Sequence, residues 1–315
     1  MISHGIDFLV VGDVYVDVIL GEMPRAPTIG ADTFASAYDI TLGGSGAITA
    51  HGLASLFHSV SLVTSVGNDL FAEFLIDRLK RVSASCINQR SADGATGLSV
   101  SFSHGGDRGF LSVPMPAAAW DSLPGLVRSL APSHVHVSSH PHIRGMVACL
   151  PAILDAARAS GSTISADPAG PADSQDEPLR NFAGAPKLDI LFVNESEARA
   201  FAGAPNADDA ALALLALADL VVLKRGERGA SVFQHEGRAV HANGLSARCV
   251  DATGAGDTFA SAFLHAWRGK HRRRLDMCLE FANAAGAASI GFLGGVKSHC
   301  QLPELYAPFA SQRAY

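Results

Sequence analysis

Asp251-Ala252-Thr253-Gly254-Ala255-Gly256-Asp257 runs straight into the helical pattern Thr258-Phe259-Ala260-Ser261-Ala262-Phe263, and this stretch decides how the chain is read. Gly254 and Gly256 bracket an alanine, so the backbone can come close to a ligand with no side chain in between. The helix that follows opens with amide hydrogens that lack an intrahelical partner, and these point at whatever anion lies in front of them. An aspartate at this place repels a phosphate, which makes poor sense for simple anion binding. It makes sense if Asp257 is a general base. The base takes a proton from a substrate hydroxyl while the backbone of Gly254, Ala255, Gly256 and Asp257 stabilises a phosphoryl group in transfer. The structural alternative is a plain strand-to-helix turn, since an acid in the first helical turn is favourable in its own right.

Outward from this stretch, short apolar runs alternate with longer helical patterns. Strands are predicted at 8–11, 60–64, 135–138, 163–166, 190–193 and 220–223, and helices at 47–57, 70–81, 146–159 and 207–217. Strands apolar along their whole length suit a parallel sheet covered on both faces. The alternation predicts an α/β fold with a doubly wound, mainly parallel sheet flanked by helices, whose ligands bind beyond the carboxyl ends of the strands. Two segments, about 14–41 and 96–115, break the rhythm with polar/apolar alternation, as in Leu98, Val100 and Phe102. They predict a small antiparallel β lid with one wet face, which would exclude water from the site. With no repeat and no long linker, residues 1–315 read as a single kinase-type domain carrying this discontinuous lid.

Composition narrows the function further. Hydrophobic residues make up 48% of the chain and there are 31 glycines, enough for a substantial core with many tight turns. Charged residues are only 17% and the formal charge is −6, which argues against a nucleic-acid surface. The basic run Lys270-His271-Arg272-Arg273-Arg274 reads as a solvated connection between two helices. The cysteines at 86, 149, 249, 278 and 300 are scattered and form no C-x-x-C pair, so they read as reduced thiols of a cytoplasmic protein. No signal peptide is predicted, and no apolar stretch reaches membrane-spanning length, the nearest (210–223) being broken by Asp219.

With the glycine motif and the layout in hand, the chain resembles the ribokinase family of carbohydrate kinases, which includes adenosine kinase and the minor phosphofructokinase. The resemblance runs over nearly the whole length. Its C-terminal signature stands as Asp251 to Asp257, with Ala252 where a Thr is usual, and its N-terminal signature as Gly43-Gly44-Ser45-Gly46-Ala47, followed by Val66-Gly67-Asn68-Asp69. The resemblance implies an ATP- and Mg²⁺-dependent phosphorylation of a hydroxyl, primary by expectation, on a small sugar or nucleoside. It implies that Asp17, five residues after Gly12, holds sugar hydroxyls together with the amides at Gly43 and Gly44. Asp13 reads instead as a turn cap. Asn194 and Glu197 match a motif that holds Mg²⁺ through its water shell. Lys224, Gly226 and Gly229 match the nucleotide loop, Thr253 joins Gly254 and Gly256 at the phosphates, and Asn283 sits beside the adenine. Asp251 is implied to lie near a monovalent cation such as K⁺.

Two departures from the family pattern bear on the acceptor. Ile48 stands where many relatives carry Asn, and Ser45 where relatives that bind phosphosugars often carry Lys. A free hexose, ketose, sugar acid or nucleoside all stay open. The aromatics Tyr15, Phe34, Tyr38, Phe102 and Phe110 either stack on a nucleobase or form the lid's own core. The exposed strands of a lid also predict a homodimer through it.

Rival readings fail on spacing. A dinucleotide-binding turn needs a third glycine where Phe259 stands, and 291–298 misses a phosphate loop because Val296 occupies the place of a required glycine. His134, His136, His140 and His142 lack an acid or cysteine at ligand spacing, so they are read as lining a strand end, with His140 the candidate substrate contact. A catalytically silent sugar-binding relative is the reading from another class, but Asp257, Gly254, Gly256, Asn194 and Glu197 are all present.

Overall fold

The structure is a computed structural model that describes residues 5–105, 107–138, 143, 145–168, 182, 184–269 and 274–296. Phe8–Val11 (β1) is buried at every position because both its faces are covered: Phe8 and Val10 pack into one core, Leu9 and Val11 into another. The other strands of its sheet, numbered in chain order, are Val60–Thr64 (β4), Ser85–Asn88 (β5), His134–Ser138 (β8), Thr163–Asp167 (β9), Leu188–Asn194 (β10), Ala218–Lys224 (β11), Ala230–Gln234 (β12) and Ala239–Ala242 (β13). They form a nine-stranded sheet in the order β13-β12-β11-β10-β9-β8-β1-β4-β5. The β11–β12 and β12–β13 pairings are antiparallel and the others parallel. Strand order therefore reverses between β1 and β8, the place beyond the carboxyl ends of the strands where sheets of this kind bind ligands.

Helices Ser45–Ser55 (α1), Leu70–Arg81 (α2), Ala255–Arg268 (α7) and Leu275–Ser289 (α8) cover one face. Leu123–Leu130 (α3), Met146–Ala159 (α4), Glu195–Ala202 (α5) and Ala207–Leu214 (α6) cover the other. The fold is thus the expected doubly wound α/β architecture. Helix α6 stops a turn short of the predicted 217: the Leu217 N–H bonds the Leu214 carbonyl at 2.9 Å and the chain turns directly into β11. Periodicity overran because Leu215 and Leu217 keep the apolar spacing through that turn.

The lid lies where it was expected. Tyr15–Glu22 (β2), Tyr38–Gly43 (β3), Leu98–His104 (β6) and Asp107–Val113 (β7) form a four-stranded sheet in the order β3-β2-β6-β7. Two antiparallel pairs, β2–β3 and β6–β7, are joined by a parallel β2–β6 pairing. Two of the lid aromatics serve its own packing: a Cβ at Gly97 would stand 2.8 Å from the Tyr15 ring, and one at Gly109 would stand 2.2 Å from the Phe102 ring. Phe34, Tyr38 and Phe110 are exposed. Among the described residues no helix is long and apolar enough to cross a membrane.

Candidate active site

Five strands deliver their last residues to one edge of the sheet. β1 leads into Gly12 and Asp13, β8 ends on Ser138, β9 on Asp167, β10 on Asn194 and β11 on Lys224. In-register parallel pairing keeps these ends level, Ser138 opposite Asp167 and Asn194 opposite Lys224. Helix α7 aims its N-terminus at the same place. Gly254 is its cap at φ 72°, a conformation that favours glycine, and a Cβ there would stand 2.7 Å from the Gly295 Cα. The Ala255 N–H turns back to the Ala252 carbonyl at 3.2 Å, which leaves the Gly256 and Asp257 amides as the orphan donors of the first turn.

Asp257, partly buried in that first turn, is the centre of the site's electrostatics. Its pKa is pushed up to about 7, first by loss of solvent and then by the Asp167 carboxylate, while Lys224 and a Ser45 hydrogen bond pull it down. Ser45 Oγ donates to Asp257 Oδ1 at 2.5 Å and lies 2.7 Å from Ser138 Oγ. Asp17, on β2 of the lid, sits against Gly43, where any Cβ would fall 2.1 Å from the Asp17 carboxyl. Its pKa also rises to about 7, through burial first and then the carboxylates of Asp13, Asp251 and Asp257. Asp17 and Asp257 therefore share one acidic basin. Gly44 caps α1 at φ 92° against the Asp13 and Val14 backbone. Asp13 accepts the Gly46 N–H at 3.0 Å, the capping role that its position had suggested.

The other side of the α7 turn is built differently. A cavity of about 850 Å³ opens between the loop after β11 and the N-terminal turn of α7, lined by Lys224, Gly226, Gly229, Gly256 and Asn283 among others. Gly229 (φ 88°) permits this loop, since a Cβ would lie 2.1 Å from the Ala242 carbonyl oxygen. Lys224 Nζ bonds Asp167 Oδ2 at 2.6 Å and lies where a Cβ on Gly256 would come within 3.2 Å of it. Burial disfavours that ammonium, but Asp167, Glu197 and Asp257 outweigh the penalty and hold its pKa above the ordinary value. Asn283 is buried and donates its amide hydrogens to the Ala242 and Asn243 carbonyls, each at 3.0 Å, so its amide nitrogen braces the cavity wall.

Asn194 caps α5 by accepting the Glu197 N–H at 2.8 Å, and Glu197 returns the bond to the Asn194 N–H at 2.8 Å. Among the described residues, the buried Asp167 Oδ1 at the end of β9 has no hydrogen-bond partner. Asp251 accepts the Thr253 N–H at 2.7 Å and the Gly294 N–H at 2.9 Å, tying the loop after α8 to the turn that opens α7. Arg225 and Arg228 both pair with Glu195, and Arg228 also lines the cavity.

His140 lies outside the described residues. His134 and His136 are buried within the sheet, bonded to Thr163 and Ser165 hydroxyls and held well below the ordinary histidine pKa by burial. Among the described residues no group of three or more acids, cysteines or histidines could hold a metal ion. Sequence reasoning missed Asp167 and the Ser45–Asp257 contact. The first had a signal, being the carboxylate that follows the predicted 163–166 strand, at the edge where such sheets bind ligands. The second had none.

Comparisons with known proteins show the family and the fold. The pfkB family carbohydrate kinase profile matches residues 9–299. The chain is 28% identical over 313 residues to the bifunctional protein HldE of Geobacter metallireducens, covering 91% of this chain but only 59% of that protein's length. It is 28% identical over 311 residues to the probable fructokinase-7 of Arabidopsis thaliana, covering 89% and 88%. Solved structures share the fold. The Arabidopsis thaliana ribokinase, complexed with ribose and ATP, superposes with a TM-score of 0.74 at 22% identity over 96% of this chain and 99% of that one. The Escherichia coli phosphofructokinase-2, complexed with potassium, gives 0.78 at 19% over 97% and 99%. A ribokinase II-type protein of Escherichia coli in complex with ATP and Mg²⁺ gives 0.76 at 23% over 98% and 99%.

Proposed function

The chain belongs to the pfkB family of carbohydrate kinases, ATP-dependent phosphotransferases, and from that premise we propose that it phosphorylates a primary hydroxyl of a small, free sugar or sugar-like acceptor. The observation that carries this reading is the first turn of α7. There a carboxyl group with a pKa of about 7 stands among orphan amides beside the Lys224 ammonium. In this reading Asp17 and the amides at Gly43 and Gly44 hold the acceptor. Asp257 accepts its proton, and the Gly256 and Asp257 amides, with Lys224, receive the negative charge on the phosphoryl oxygens. A pKa near neutrality suits a base that must be ionised before the reaction and protonated after it.

ATP fits the cavity of about 850 Å³, whose size lies in the usual range for small-molecule sites. Mg²⁺ fits the facing acids as well. Asp167, whose Oδ1 is buried without a partner, and the Asn194–Glu197 pair would hold the ion through water, in keeping with its reluctance to lose its shell. Bound there, the ion would neutralise charge between the phosphates. Asp251, fixed by two backbone amides, would stand near a monovalent cation such as K⁺ at the same turn.

The acidic basin around Asp17 and Asp257 also favours an uncharged acceptor over a phosphosugar or a sugar acid. Because Tyr15 and Phe102 pack within the lid, a sugar fits better than a nucleoside. The exposed Phe34, Tyr38 and Phe110 of the lid support a homodimer through it, which sedimentation would test. The decisive assay couples ADP release, with ATP and Mg²⁺, to a panel of free sugars, sugar acids, phosphosugars and nucleosides. Turnover on a free sugar is expected. Binding of ATP and a sugar without ADP release would instead mark a silent relative.

A further inference from the structure

Ser45 occupies the first position of α1, yet its hydroxyl takes no part in capping that helix: the cap is Gly44, which forms no side-chain bond. The hydroxyl instead reaches across to α7 and donates to Asp257 Oδ1 at 2.5 Å, from a residue 212 positions away in sequence. A serine hydroxyl carries one proton and an ionised carboxylate carries none. With that proton committed to Asp257, the 2.7 Å contact with Ser138 Oγ has only one consistent direction, Ser138 donating to Ser45. The result is a directed chain, Ser138 to Ser45 to Asp257, built from the ends of β8, α1 and α7.

We propose that Ser45, oriented by Ser138, is a positioning residue for the base: it fixes Asp257 Oδ1 and leaves Oδ2 as the oxygen that meets the acceptor hydroxyl. This rests on the kinase reading above and adds to it a role for Ser45, a residue of the N-terminal glycine signature, at the base of the C-terminal one. A bond donated to the ionised carboxylate favours the charged form, and cooperative donation from Ser138 strengthens it. The pair therefore also keeps the base ionised at a pH where burial and Asp167 would protonate it. During transfer the proton leaves the acceptor hydroxyl for Oδ2 and the acceptor oxygen bonds to phosphorus. The bond from phosphorus to the leaving ADP oxygen breaks, and Ser45 keeps its own proton throughout.

The test is a pair of titrations on Ser45→Ala and Ser138→Ala. The first follows the carboxyl ¹³C shift of Asp257 in the ATP-free protein, assigned by its disappearance in Asp257→Asn. The second follows kcat against pH on the best acceptor. Ser45→Ala is expected to raise the Asp257 midpoint by about one pH unit and to move the acid limb of kcat by the same amount. At pH 6 that is a loss of about tenfold in kcat, shrinking toward alkaline pH, with KM for ATP unchanged. Ser138→Ala should shift both in the same direction by less. A folded Ser45→Ala protein whose Asp257 midpoint does not move overturns the proposal, as does one that raises only the KM for the acceptor. The carboxyl titration needs no turnover. If wild type releases no ADP with any acceptor while the midpoint still shifts, the kinase reading fails and the role of Ser45 stands.

Discussion

The two halves of the site handle charge in opposite ways. On one side of the α7 turn Asp17 and Asp257 are both lifted to a pKa of about 7. On the other Asp167 meets Lys224 directly at 2.6 Å, and the ammonium is held firmly charged. Where loss of solvent and neighbouring carboxylates outweigh the nearby cation, as at Asp257, the acid is lifted toward neutrality. A carboxylate given a cation becomes a brace that fixes that cation over a glycine turn. The difference comes from what surrounds each acid and not from residue type: Asp17 lies within β2 and Asp257 in the first turn of α7, whereas Asp167 ends β9 directly against the Lys224 ammonium.

This contrast can be broken first at its centre. Asp257→Asn should lower kcat by on the order of 10²–10⁴-fold while ATP binding, read by calorimetry, persists. A near-native rate would remove Asp257 from the role of base. On the opposite side, Lys224→Met strands Asp167 in the interior and should destabilise the protein by about 3–5 kcal/mol in urea unfolding. Adding Asp167→Asn should recover most of that loss, and full additivity of the two changes would show that the pair is not coupled.

Backbone sets the next level. Gly254→Ala forces a Cβ toward the Gly295 Cα at φ 72°, whereas Gly226→Ala, at φ 60°, meets nothing within 4 Å. Urea unfolding should show a loss of about 2–3 kcal/mol for the first and about 1 kcal/mol for the second. Equal losses would mean that packing at Gly254 is irrelevant.

The smallest expected effect tests the acidic basin by its sign. A carboxyl whose folded pKa lies above its unfolded value binds its proton more tightly when folded. Its ionisation therefore removes stability as pH rises from the unfolded value of about 4 through the folded value of about 7. Asp17→Asn should accordingly stabilise the protein at pH 8 relative to wild type, on the order of 1–2 kcal/mol given partial exposure, and do less at pH 5. Comparing variant with wild type at each pH cancels the opposite contribution of the buried histidines His51, His134 and His136, whose lowered pKa values remove stability as pH falls below about 6.5.

Much of this was legible in one dimension because it is local. A glycine pair before a helix, strands apolar on both faces and an acid in a first helical turn are set by neighbouring residues and by the 2.0 and 3.6 periodicities. Hence β1, the α7 turn and the lid segments lie where expected. Asn283 shows the limit: it lines the cavity, but the bonds from its amide hydrogens to the Ala242 and Asn243 carbonyls span 41 and 40 positions, which no local pattern carries. β12 and β13 went unseen because short antiparallel strands at a sheet edge carry little pattern beyond their β-branched residues.

By itself, then, the sequence determined the architecture, the glycine turn that opens α7 and the identity of the acid within it. Only the tertiary structure decided how that acid is tuned. The Lys224–Asp167 pair joins residues 57 apart, and the Ser45–Asp257 bond joins residues 212 apart. Contacts of that span depend on strand order, on the level alignment of parallel strand ends and on two helix N-termini converging on one point. None of these is encoded in the neighbourhood of any single residue.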